Sequence, residues 1–155
     1  MTQNMHLAEL NVGCLVAPPD DPRVADFMNN LDRINGLGKR MPGFVWMIEG
    51  SGRPGTGNTD AKLNDDPLFV PNLTVWEDYE TLSAFVYQTL HKKFIDRKAE
   101  WFEVLEDKHF VMWWILIGHT PTLDEALARL AHFRDHGETE HAFGRSYFAE
   151  KSGKS

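Results

Sequence analysis

The residues able to do chemistry are one histidine, one asparagine and a group of large aromatics. His91 follows Tyr87 by four residues, one turn of a helix, within a stretch of helical apolar spacing. A neutral imidazole beside aromatic walls can act as a general base or ligate haem iron. The alternative is a histidine hydrogen-bonded at a helix junction. Asn11 shares one face of an alternating segment with Glu9, and Trp76 shares one face of another with Asn72 and Thr74. Trp101 follows Arg97 by four and sits on the same helix face. Arg97 either clamps a carboxylate or forms a salt bridge with Glu9 or another acid, with Trp101 stacked on the guanidinium. His91 and Asn11 are therefore the candidate catalytic groups. Trp76, Tyr87, Arg97 and Trp101 are the candidate ligand-binding groups.

Other patterns carry less. His132 and His136 are four apart, with His141 nearby, a spacing that can hold a metal. Their place at a helix end and in a polar stretch reads as a solvated surface, so no metal site is assigned beyond His91 itself should haem bind. The glycines between Ser51 and Asp66 invite a phosphate-loop reading. They lack the Gly-Lys-Ser/Thr ending such a loop needs. Cys14 has no basic neighbour in sequence and reads as a small core residue.

Those groups need elements to hold them. Leu7–Val16 alternates as a strand, with Ala8, Leu10, Val12, Cys14 and Val16 on one face and Glu9 and Asn11 on the other. Asp21 followed by Pro22 starts a helix whose stripe is Val24, Phe27, Met28, Leu31 and Ile34, ending at Gly36 or Gly38. Gly43–Glu49 is a second strand, and Ser51–Asp66 a polar loop. Leu68–Trp76 is a third strand, with Pro71 marking an edge or a bulge. Glu77 and Asp78 open the next helix, striped by Leu82, Phe85, Val86 and Leu90, and a further helical stretch follows to Leu105. His109–Gly118 is nearly all apolar, the pattern of a central strand or one covered on both faces. Thr122 and Glu125 form a capping box ahead of a last helix that stops at Gly137. Trp113 and Trp114 must point to opposite faces, one to the helices and one to a cavity. The order βαββα(α)βα gives a ferredoxin-like α+β fold, one domain over residues 1–143 with a polar tail over 144–155.

The face bearing Glu9, Asn11, Asn72, Thr74 and Trp76 is too polar for a core yet holds a large aromatic. It implies either a cavity or a face closed by a second subunit, and hence a homodimer. Composition narrows the partners. The 155 residues carry a formal net charge of -7 with no basic block, which argues against nucleic acid. The longest apolar run, Phe110–Ile117, is far short of a membrane span. One cysteine and an N-terminus without a signal-peptide pattern fit a cytoplasmic protein.

Several stretches resemble an uncharacterised bacterial domain-of-unknown-function family in the dimeric α+β barrel superfamily, which also holds antibiotic-biosynthesis and haem-degrading monooxygenases. They are Leu7-Ala8-Glu9-Leu10-Asn11, Gly43-Phe44-Val45-Trp46, Asn72-Leu73-Thr74-Val75-Trp76, Phe85-Val86-Tyr87 with His91, Arg97 to Phe102, Trp113-Trp114 with Gly118 to Pro121, Glu125-Ala126 with Arg129-Leu130, and Ala142-Phe143. Met47 and Gly144-Arg145 depart from it, where basic and apolar residues are usual. The resemblance implies a dimeric barrel and a monooxygenase-like enzyme, cofactor-free or haem-dependent. By residue type, Asn11, Trp76 and His91 match the set used by the haem-degrading relatives. The expectation is a hydrophobic or aromatic small molecule held between sheet and helices and oxygenated or rearranged there. The alternative is a non-catalytic binding protein for haem or another hydrophobic ligand.

Overall fold

A computed structural model describes residues 4–18, 20–48, 68–89, 91–105 and 108–148. The Ser51–Asp66 loop lies outside them. The elements in chain order are β1 (Met5–Cys14), α1 (Ala25–Lys39), β2 (Phe44–Met47), β3 (Phe69–Trp76), α2 (Tyr79–Gln88), α3 (His91–Asp96), β4 (Phe110–Leu116) and α4 (Leu123–His136). The four strands form one antiparallel sheet in the order β2-β3-β1-β4, the ferredoxin-like plan expected from the sequence.

Register assigns every site residue to a face. Leu7 pairs with Trp76 and Trp114, Glu9 with Thr74 and Met112, and Asn11 with Asn72 and Phe110. These residues share one side of the sheet. Ala8, Leu10, Leu73, Val75, Val111 and Trp113 occupy the other, packed on Ala126, Leu130 and Phe133 of α4. From the pattern, the apolar Ala8 face meets the helices and the Glu9 face a cavity or a second subunit. The chain instead splits them: α4 covers that face, and α1 and α2 cover the polar-aromatic one. Helices of this chain thus cover both faces, and the Glu9 face keeps a cavity beneath them. The Trp pair is resolved the same way. Trp113 is fully buried under α4 and donates its Nε1 proton to Glu125 Oε2 at 3.0 Å. Trp114 lies on the cavity side, against Phe143 and Phe148.

Local chemistry sets the helix ends. Asp78 accepts from the Thr81 amide at 2.8 Å, and Thr122 from the Glu125 amide at 3.1 Å. The Glu125 side chain does not close the capping box. It is taken by Trp113 and by His119, whose Nε2 lies 2.7 Å away. α1 runs through both glycines expected to stop it. Gly38 is buried under Phe85, whose ring would stand 3.2 Å from an added Cβ, so it is there for close packing and not as a cap. Gly43 carries φ +86°, and a Cβ there would collide with the Thr81 side chain. This glycine lets the chain turn beneath α2 into β2.

Two strand expectations change in detail. β3 is an inner strand, but Pro71 lies beyond the residues that pair with β2, so its missing N–H interrupts only a local edge. β4 is not central; it lies at the sheet edge and is covered on both faces. Its outer edge is partly paired, since Met112 and Phe143 exchange two backbone hydrogen bonds of 2.8 and 3.0 Å.

The segment expected as a polar tail is packed as far as residue 148. Tyr147 stacks on Phe143 with centroids 4.2 Å apart, and Phe148 stacks on Tyr79 at the same distance. Glu138 Oε2 accepts from the Gly144 and Tyr147 amides and from the Ser146 hydroxyl. That carboxylate fixes the backbone on both sides of Arg145. No helix among the described residues is long and apolar enough to cross a membrane.

Candidate functional site: a buried carboxyl in a cavity between sheet and helices

A cavity of about 430 Å³ lies between the Glu9 face of the sheet and the helices above it. That size suits a small-molecule ligand. Asn11, Trp76, Tyr87, His91 and Trp101, all expected there from sequence, line it. Arg97 does not. Its guanidinium pairs with Asp26 at 2.9 Å and with Glu100 at 2.9 Å, and lies 4.7 Å from the Trp101 ring centre. Of the two readings of Arg97, the structure takes the salt bridge with stacked Trp101, and the acids are neither Glu9 nor a ligand.

The centre of the site is a residue the sequence reading left in the background. Glu9 is buried, yet it lines the cavity. Asn11 Nδ2 donates to its Oε1 at 2.7 Å, and Thr74 Oγ1 donates to its Oε2 at 2.8 Å. Trp76 Nε1 donates to Thr74 Oγ1 at 3.0 Å. Burial pushes the Glu9 carboxyl up from 4.5 to about 7, against a lowering by Asn11, by Thr74 and by the positive charge of Arg145. The Thr74 hydroxyl suits both protonation states. It donates to the carboxylate and, being also an acceptor, can accept a hydrogen bond from the O–H of the neutral acid. The trio gives a carboxyl that exchanges a proton near neutral pH.

Two further polar atoms line the cavity without a partner. Asn72 Oδ1 and His91 Nδ1 are buried and make no hydrogen bond. Burial holds His91 below its usual pKa, against a hydrogen bond to the Val86 backbone that raises it. The imidazole is therefore neutral at pH 7, its ring 4.7 Å from Phe85. Each such atom costs about 1–3 kcal/mol when left unsatisfied, and ligand groups are one way to satisfy it.

Haem, implied by the resemblance, fits only in part. His91 Nδ1 is a suitable axial donor. Trp76 is enclosed by Phe44 and Phe85, Asn11 is committed to Glu9, and the propionate clamp expected at Arg97 is turned away. These residues do not make up the haem site that the resemblance implies. His132, His136 and His141 gather at the end of α4, where Thr139 engages His132 and Arg129 engages His141. Among the described residues no group of three or more His, Cys, Asp or Glu could hold a metal. Cys14 is buried and its thiol reaches Glu103 Oε2 at 2.9 Å.

The strand plan, with its cavity between sheet and helices, places this chain in the α+β ferredoxin-like class. The chain belongs to the family described as Domain of unknown function (DUF3291), whose model matches residues 6–155. No curated protein matches it significantly. Among solved structures it is similar to PA3566 from Pseudomonas aeruginosa, at 11% identity and a TM-score of 0.48, over 75% of this chain and 97% of that one. It is similar to SnoaB, a cofactor-independent oxygenase from Streptomyces nogalater, at 16% identity and 0.47, over 74% and 95%. A third is NE2512, a protein of unknown function from Nitrosomonas europaea, at 11% and 0.47, over 78% and 97%. Identities this low do not transfer an activity.

Proposed function

We propose that this protein is a small-molecule enzyme in which Glu9 moves a proton to and from a weakly acidic C–H or O–H of an apolar, aromatic-class substrate. One observation carries the reading: a buried carboxyl in the wall of an apolar cavity, held by Asn11 and Thr74 and ionising near pH 7. As carboxylate, Glu9 takes the proton, and the electron pair of the broken bond stays on the substrate as an enolate or phenolate. The mainly apolar walls limit competing proton exchange with water. Return of the proton to another atom completes a rearrangement. With dioxygen as co-reactant, the anion adds O₂ and recovers the proton from Glu9 as a hydroperoxide. Asn11 and Thr74 hold the carboxyl, while Asn72 and His91 offer acceptors that orient substrate hydroxyls.

The test uses 2-tetralone, an aromatic ketone with acidic C–H bonds, in deuterated buffer followed by NMR. Wild type should speed exchange at least about tenfold over Glu9→Gln, with a pH profile rising through about 7. Equal rates for both proteins would sink the reading. An oxygen electrode run in parallel separates oxygenation from rearrangement.

A non-catalytic binding module is the second reading, favoured by the unpartnered Asn72 and His91 atoms. It predicts saturable binding of such ligands with no exchange above buffer.

A further inference from the structure

The geometry points to Arg145 as an anion anchor at the cavity, so that the ligand is an apolar body with one acidic end, such as an aromatic carboxylate. This rests on the cavity being the ligand site. Arg145 lines the same cavity as Glu9. Its guanidinium lies 5.3 Å from the Tyr87 ring centre and 5.5 Å from that of Phe110. Tyr87 of α2 and Phe110 of β4 thus flank an exposed guanidinium at the cavity, whose N–H groups can take a charged partner. No carboxylate supplies that partner among the described residues. Among the described residues Arg97 pairs with Asp26 and Glu100, and Arg23 with Asp21. Glu9 feels the charge of Arg145 but forms no ion pair with it.

Placement of Arg145 is built and not incidental. Glu138 binds the amides of Gly144 and Tyr147 on either side of it, and Phe143 and Phe148 anchor the segment in the aromatic cluster. A guanidinium held on two rings beside an apolar cavity suits bidentate recognition of a carboxylate. It also sets orientation: the acidic end lies at Arg145 and the body extends over Glu9.

The experiment displaces the neutral fluorophore N-phenyl-1-naphthylamine from the full chain with two matched probes. One is 1-naphthoate, which carries a carboxylate; the other is 1-naphthalenemethanol, its uncharged counterpart. In wild type 1-naphthoate should displace at lower concentration than the alcohol. Arg145→Gln should raise the 1-naphthoate concentration needed by about tenfold and leave the alcohol within about twofold, with Arg145→Lys in between. Thermal melts of each variant confirm folding. Equal weakening of both probes in Arg145→Gln, or of neither, would overturn the anchor while leaving the cavity as a ligand site. No saturable fluorophore binding to wild type would instead remove the cavity reading and the anchor with it.

Discussion

Glu9 is where burial and hydrogen bonding contend most directly. Burial raises its pKa from 4.5 to about 7 although Asn11, Thr74 and Arg145 all favour the carboxylate. The folded state therefore binds the proton more tightly than the unfolded chain. Glu9's contribution to stability is full below about pH 4.5 and is lost as pH rises through 7, a change of roughly 3 kcal/mol. Glu9→Gln stays neutral and should lack this part of the pH dependence. Melting curves at pH 5 and pH 8 check it: the wild type should lose more melting temperature over that interval than the variant, and parallel losses would contradict it. His91 differs in kind. Its burial favours the neutral ring, which suits a hydrogen-bond acceptor better than a charged group. Sequence could mark Glu9 as facing the same way as Asn11 but not as the centre of the site. Its importance depends on Thr74, 65 residues away, which only strand register brings to it.

At the scale of elements, alternation and helical spacing located the strands and main helices, because those patterns follow from the geometry of each element alone. What packs on which face did not follow. The two faces of β1 are both buried, one apolar and one polar, and nothing local says that α4 takes the first and α1 with α2 the second. Arg145 was hidden for a related reason. Gly144-Arg145-Ser146 reads as polar tail until Glu138 is seen to bind its backbone. Gly43 gives an element-scale prediction. Gly43→Ala meets both a φ of +86° and the Thr81 side chain, so it should cost about 1–3 kcal/mol in chemical denaturation. Adding Thr81→Ala should recover only part, since the residue 81 Cβ still blocks the space and the backbone strain remains. Full recovery would show that contact alone matters.

For the whole molecule, the sheet is closed on both sides by one chain and the cavity is walled by that chain's own residues. The expected homodimer is tested by asking whether a second copy adds to that wall. Affinity for N-phenyl-1-naphthylamine should be unchanged when protein concentration is varied across any association seen by light scattering. Affinity that falls on dilution in step with dissociation would show that a second subunit contributes to the cavity. Haem belongs at this scale as well, since it would demand most of the cavity. Titration should give no saturable one-to-one Soret shift that His91→Ala abolishes, and such a shift would restore the haem reading.

The central claim is that a buried carboxyl ionises near neutral pH inside this cavity. Difference infrared spectroscopy of wild type against Glu9→Gln reads it directly, through the carbonyl band of the protonated acid. One such band, absent from the variant, should disappear with a midpoint at about pH 7. A Glu9 carboxyl that is already fully ionised at pH 5.5 would contradict it.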